Sequence, residues 1–293
     1  MITHGGRGRT VVKKSISKDA LGDRMKGLER MEADRRFIPV LPVYARLDGK
    51  CFHNFTTGLN RPFDSGMRDI MIAVTKYLVG ETNAVFGYTQ SDEISLMFYA
   101  EDYKSSIFMD SRIQKMVSLL AAYCTVKFNE LAVEVWPKKF RTGCNLPVFD
   151  CRVFQLPNKV EAMNAMLWRV NDSVKNSVSM AASSVYSHKE LDGKSDSERQ
   201  DMLMTAGINW NDYPAIYKEG AFIQRRKVFK ELSAEELIKI PEQYRPTGPV
   251  ERSKVVLLDL PRFGSITNKV ELIFDGADPV VATKDDNISE IGC

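Results

Sequence analysis

With 293 residues, 44% of them apolar and 27% charged, the chain has the composition of a globular protein with one large domain or two small ones, which excludes disordered, collagenous and low-complexity classes. Its longest apolar runs, at 117–123 and 37–45, fall far short of the ~18 residues that suggest a membrane span, so a soluble, cytoplasmic protein without membrane contact is expected. The formal net charge of +3 hides an asymmetry: residues 1–40 carry ten Lys/Arg against five Asp/Glu, while 254–293 carry four against seven, and a basic N-terminal segment suits a polyanion such as RNA.

Residues 1–17 show no apolar period and are expected to be mobile. From 18 to 36 a helix is predicted, with Leu21, Met25, Leu28 and Met31 on one stripe. Residues 37–48 turn β-like, as Val43, Ala45 and Leu47 alternate with Tyr44, Arg46 and Asp48 before an Asp48-Gly49 turn. Asp64 and Ser65 can cap a helix beginning at Gly66, whose Met67, Ile70, Met71, Val74, Tyr77 and Leu78 recur at helical spacing. The segment 85–99 reads as a β-hairpin with Ser91, Asp92 and Glu93 at or beside its tip. A helix from about 111 to 131 and a strand over 145–154 follow. The order strand, helix, hairpin, helix, strand is the ferredoxin-like split arrangement. A third long helix is predicted over 159–186, then a short one near 233–240, and short strands in KVVLLDL and KVELIF.

The fold class is therefore α+β: an antiparallel sheet with flanking helices and a helical and mixed C-terminal part. The expected organisation is a flexible basic segment 1–20, a catalytic unit 21–158 and a C-terminal region 159–293. Five cysteines without a C-x-x-C pair, and three histidines, argue for reduced thiols and against a zinc cage.

In such a sheet the first and third strands lie side by side, so Asp48 and Asp92, 44 residues apart in sequence, meet at one edge. Paired carboxylate oxygens suit a hard divalent cation, and Mg2+ is expected, since it takes its remaining ligands from water and phosphate. Two such ions can activate an attacking hydroxyl and steady a leaving pyrophosphate. The Gly49 carbonyl can add an oxygen, because glycine allows close backbone approach. The bland alternative is an Asp-Gly turn and a solvated hairpin tip. Arg112 and Lys115, three apart on one helix, can both face a triphosphate. Asp150 and Arg152 alternate on one strand and can form an ion pair.

The motifs RLDGKCFHNFT (46–56), RPFD (61–64), YTQSDEISLMF (88–98), RIQKMVSLLAA (112–122), FDCRVF (149–154) and WRVNDSVKNS (168–177) occur in order. Together they resemble the tRNA-histidine guanylyltransferase family, including its bacterial, archaeal and phage-like members that act as 3′–5′ polymerases, over about residues 23–225. The resemblance implies a polymerase-like palm in which Asp48, the Gly49 carbonyl and Asp92 hold two Mg2+ ions, with Ser91 and Glu93 beside them and Glu93 counted among the catalytic residues. It implies nucleotide and phosphate contacts from Gly49, Lys50, Cys51, Phe52, His53, Arg61, Asp64, Ser91, Arg112 and Lys115. Arg46, Arg169, Asn176, His188 and Lys189 are the expected tRNA contacts. ATP, GTP, the 5′ end of tRNA and three further copies of the chain, as a homotetramer, are the implied partners.

Two departures stand out. Arg61 replaces the lysine that family members usually carry before the proline, which keeps the charge but exchanges a point donor for a planar fork. Where eukaryotic members have His-Ile-Asn-Asn, this chain has Val174-Lys175-Asn176-Ser177, so strict discrimination by the histidine anticodon is in doubt and a broader, templated repair activity is favoured. Gly193-Lys194-Ser195 imitates the end of a phosphate-binding loop, but position 188 is His where the first glycine belongs; a surface turn is expected. Two rival classes share some of these features: a palm-type nucleotide cyclase, and a non-catalytic tRNA-binding relative.

Overall fold

The computed structural model describes residues 19–140 and 146–281. The expectation of a mobile 1–17, together with Cys144 and Cys293, lies outside the described residues. The chain begins with α1 (Ala20–Ala33), β1 (Val43–Gly49), a short α2 (Phe52–Thr56) and α3 (Ser65–Thr82). The hairpin β2 (Phe86–Gln90) and β3 (Glu93–Phe98) leads to α4 (Ile113–Val135), α5 (Pro137–Phe140), β4 (Phe149–Gln155) and α6 (Lys159–Ser183). Three small helices follow, α7 (His188–Leu191), α8 (Asp196–Thr205) and α9 (Ala215–Lys218). The described chain ends with β5 (Ala221–Lys230), α10 (Ala234–Ile238), β6 (Val250–Leu258) and α11 (Lys269–Phe274).

The strands form one antiparallel sheet in the order β4-β1-β3-β2-β5-β6. Its first four members reproduce the expected split arrangement, with β1 beside β3. The two C-terminal strands extend that sheet past residue 158. Strand alternation divides the core between two faces. On one, Val43, Ala45, Leu47, Ile94, Leu96 and Phe98 pack with Met71, Val74 and Leu78 of α3 and Met116, Leu120 and Phe128 of α4. On the other, Tyr44, Met97, Phe86 and Tyr88 pack with Met166 and Val170 of α6 and Leu272 and Ile273 of α11. Each such aliphatic or aromatic side chain contributes roughly 1.5–3 kcal/mol by leaving water.

By length and composition α4 could cross a bilayer. Its Met116, Leu120, Cys124, Phe128 and Ala132 are instead fully buried within the core cluster that includes the sheet, so it is a core helix. The apolar stripe of α1 has the opposite fate: Leu21, Met25, Leu28 and Met31 are all exposed.

Two C-terminal elements differ from expectation. KVELIF is the helix α11, not a strand, and the reason is that adjacent Leu272 and Ile273 are both fully buried. A strand with one buried face points neighbouring side chains in opposite directions. The strand β5 was not foreseen because Arg225-Arg226-Lys227 interrupts its apolar pattern. Arg225 caps the Gly80 carbonyl and Arg226 those of Gly276 and Ala277, so the charges join the strand to its neighbours.

Candidate functional site

The last residues of β1 and the β2–β3 turn come together at one edge of the sheet. Asp48 is the direct cross-strand neighbour of Glu93 on one side and Asp150 on the other. Ser91 turns the hairpin with φ of +48°, and its hydroxyl donates to Asp92 Oδ1 at 3.1 Å. The Gly49 N–H donates to the Asp92 carbonyl at 3.2 Å, which ties the end of β1 to the turn. Burial raises the Asp92 carboxyl above its ordinary value, and the charge of nearby Asp48 acts in the same direction. The pair expected from the order of elements is therefore adjacent, and Asp92 is part-buried at the turn.

Gly49 has no room for a side chain: a Cβ there would lie 2.2 Å from Phe52 Cδ2. The Phe52 ring cannot retreat, since it is buried and packs against Phe128 and Phe149 at centroid distances of 5.2 and 4.9 Å. The buried Phe52 thus shapes the loop after β1. Lys50 is exposed, its N–H bonded to the Val148 carbonyl at 2.9 Å, while Cys51 begins α2 in the left-handed region at φ +55°.

Beside this edge lies a cavity of about 650 Å3. Of the expected nucleotide contacts, Gly49, Cys51, Phe52, His53, Arg61, Asp64 and Ser91 all line it, as does Asp92. Asp64 is also structural: its carboxylate caps α3 by accepting from Met67 N–H and holds the preceding loop through Asn60 N–H, both at 3.0 Å. The Arg61–Pro62 peptide is cis. Lys139 Nζ donates to the Phe55 and Thr57 carbonyls at 2.8 Å each, fixing the loop after α2.

Arg112 and Lys115 are not part of the cavity wall. They stand at the N-terminal end of α4, where Phe108 stacks on Phe98 at the far end of β3. The six strand residues from Glu93 to Phe98 span roughly 17 Å, so within one chain these two cations do not share a phosphate with Asp48 and Asp92. Helical spacing put them on one face and said nothing about which end of the sheet that face would reach.

Glu93 and Arg169 also differ from the expected arrangement. Glu93 is buried at the start of β3 and held by Arg169, whose own side chain is only 6% exposed. Burial pushes the Glu93 carboxyl up, and the Arg169 guanidinium opposes that. Arg169 is thus enclosed rather than offered to RNA. Arg46, two residues before Asp48 on the same face, is half-buried with its guanidinium 5.7 Å from the Trp168 ring centroid. Asn176, His188 and Lys189 are exposed on α6 and α7. Asp150 and Arg152 approach within 3.5 Å. Gly193 and Ser195 form a turn in which Ser195 and Glu198 cap α8, so the imitation of a phosphate loop is a surface turn.

Sequence reasoning missed the far wall of the cavity. Tyr217 from α9 lines it, stacked on Phe63 at 4.8 Å and accepting from Arg68 Nη1 at 2.9 Å. Ser173 and Ser177 of α6 complete that side. No local pattern marks Tyr217, which lies 149 residues from Arg68.

Among the described residues no cluster of three or more His, Cys, Asp or Glu could hold a metal by itself. Two carboxylates and a backbone carbonyl suit a cation that keeps most of its ligands as water and phosphate, as Mg2+ does. The close like charges of Asp48 and Asp92 and the steric demand at Gly49 both fit such an ion.

The family model described as tRNAHis guanylyltransferase (Thg1) matches residues 22–157. A bacterial Thg1-like protein solved in complex with ATP is 35% identical, with 71% of this chain and 87% of that one covered and a TM-score of 0.65. A bacterial Thg1-like structure in complex with GTP is 30% identical over 82% of this chain and 91% of that chain, with a TM-score of 0.62. The tRNA(His) guanylyltransferase of Schizosaccharomyces pombe is 29% identical, covering 71% of this chain and 81% of its own length.

Proposed function

The chain belongs to the tRNA(His) guanylyltransferase family and is a nucleotidyltransferase; from that premise we propose that it adds nucleotides, typically G, to the 5′ end of a tRNA, growing it in the 3′–5′ direction. The observation that carries this is the meeting of Asp48, Asp92 and Gly49 beside a cavity of about 650 Å3 that also holds His53 and Arg61. That volume lies within the range of about 300–1,000 Å3 usual for small-molecule sites. The bacterial relatives solved with ATP and with GTP support a nucleoside triphosphate as its occupant.

Asp48, Asp92 and the Gly49 carbonyl are the groups that would hold Mg2+, in a two-ion site. Bound there, the ions supply charge neutralisation to phosphate oxygens and lower the cost of deprotonating a hydroxyl. Arg61 and His53 bind and orient the triphosphate, Arg61 by its planar fork. In the first step an oxygen of the RNA 5′-monophosphate attacks the α-phosphorus of ATP or GTP, and pyrophosphate leaves. In the second, the 3′-hydroxyl of an incoming GTP attacks the activated 5′-phosphorus, and the activating nucleotide leaves as its monophosphate. Both are phosphoryl-type displacements between groups the substrates bring, so alignment and charge are what the protein must provide. No nucleophilic Ser or Cys is required.

Val174 in place of the eukaryotic histidine, together with the similarity to bacterial chains, supports addition guided by a template over strict reading of the histidine anticodon. A cytoplasmic homotetramer completes the proposal. The uncovered Leu21, Met25, Leu28 and Met31 of α1 offer apolar surface for self-association, and Cys51, Cys124 and Cys151 are free thiols, as a reducing compartment leaves them. The test is incubation with GTP labelled at the α-phosphate and 5′-phosphorylated tRNAs, intact or shortened at the 5′ end, followed by sequencing of the product ends. Label at the RNA 5′ end is expected, reduced about 1,000-fold or more in Asp48→Asn and Asp92→Asn as several kcal/mol of charge stabilisation are lost. A cyclic nucleotide with unlabelled RNA would overturn the proposal.

A further inference from the structure

Glu93 and Asp48 face each other directly across two strands, a relation in which like charges repel. From the helix above, Arg169 donates through Nε to Glu93 Oε1 at 2.6 Å and through Nη2 to Oε2 at 2.7 Å. Such a two-pronged pair is strong and fixes direction as well as distance. The side chains are 6% and 7% exposed. Nη2 also donates to Asp172 Oδ2 at 2.9 Å, and that oxygen accepts from Asn176 at 3.2 Å, so the guanidinium is held from both sides. Arg46 stands 4.0 Å from Glu93 Oε2.

We infer that Arg169 is a positioning residue for the cation-binding carboxylates, acting through Glu93; this rests on the metal site proposed above. Glu93 is the first residue of β3 and directly follows Asp92. Clamping it to α6 fixes where the turn ends, while the Gly49 N–H holds the Asp92 carbonyl from the other side. The Asp92 carboxylate then stands at a set distance from Asp48. Neutralising Glu93 also keeps a third carboxylate out of the cation's coordination, leaving Asp48 and Asp92 to it. An arginine is needed because lysine, a point donor, cannot span both oxygens of Glu93 in one orientation.

The test uses Arg169→Lys, which retains every charge, and Glu93→Gln, which retains the shape. Mn2+ binding to the free protein is titrated by electron paramagnetic resonance, without nucleotide or RNA, beside circular dichroism and melting. Both variants are expected to fold, to bind Mn2+ about fivefold or more weakly, and to need correspondingly more Mg2+ for half-maximal transfer. The KM for GTP should stay within about twofold. A merely structural role would lower the melting temperature and leave Mn2+ affinity in place; unchanged affinity in folded Arg169→Lys would overturn the inference. Should that variant not fold, unchanged affinity in Glu93→Gln does the same. A parent protein that binds Mn2+ but transfers no nucleotide would defeat the proposed function and leave this inference standing. A parent that binds no Mn2+ removes the metal site and the inference together.

Discussion

Gly49 serves packing and chemistry with the same absent atom. Its carbonyl is the ligand proposed for the cation, and its missing Cβ leaves the space that Phe52 fills. Gly49→Ala should destabilise the fold by about 1–3 kcal/mol through overpacking, and should weaken transfer further because the end of β1 must shift; thermal melting and labelled transfer read the two effects separately. Asp92 carries the reverse signature. It is part-buried near a like charge, so its ionised form costs the metal-free fold stability. Asp92→Asn is therefore expected to melt at the same temperature as the parent or higher in chelator, while losing transfer. A lower melting temperature would contradict that account. The RLDG and SDE motifs made these residues legible from sequence, whereas the burial of Arg169 could not be read from its place beside an exposed Trp168.

Among elements, short helices are defined by their first turns. Asp64 caps α3 and restrains the loop carrying Arg61, so Asp64→Ala should cost about 1 kcal/mol as an N-cap loss and raise the KM for nucleotide as the loop loosens. α7, α8 and α10 each begin with a capping box, Ser187/Glu190, Ser195/Glu198 and Ser233/Glu236. Glu236 is pulled down to about 2, by Lys230 first and then by the Ser233 cap; Glu190 and Glu198 are lowered by their cap serines. A carboxylate depressed on folding stabilises above its unfolded value near 4.5 and loses that contribution as pH falls through the folded value. Acidification from about pH 4.5 towards 2 should therefore fray α10, seen as faster amide exchange at its first turn; unchanged protection there would refute the assignment. Helices with apolar stripes and the central hairpin were legible, since period and capping are local. KVELIF was not, because six residues satisfy both periods and only Leu272 and Ile273 buried side by side decide for helix.

At the scale of the whole molecule, the sheet has two ends with different tasks. One gathers Asp48, Gly49, Asp92 and the cavity; the other holds the start of α4 with Arg112 and Lys115. Arg112→Ala and Lys115→Ala are expected to leave the KM for GTP within about twofold in steady-state transfer, since neither lines the cavity. A tenfold rise would show that another copy of the chain brings that end to the site. The cavity is assembled from segments as distant as Arg68 and Tyr217, and both faces of the sheet must be covered before it exists.

Sequence by itself determined the alternating and helical periods, the split order of strands and helices, and the two aspartates that this order makes neighbours, because each follows from local residue chemistry and spacing. Tertiary structure alone decided which end of the sheet each cation reaches, that Arg169 is spent inside on Glu93, and that Tyr217 closes the pocket. Those outcomes depend on how helices cross a twisted sheet and on which polar groups are removed from water together, and neither is encoded in any short stretch of chain.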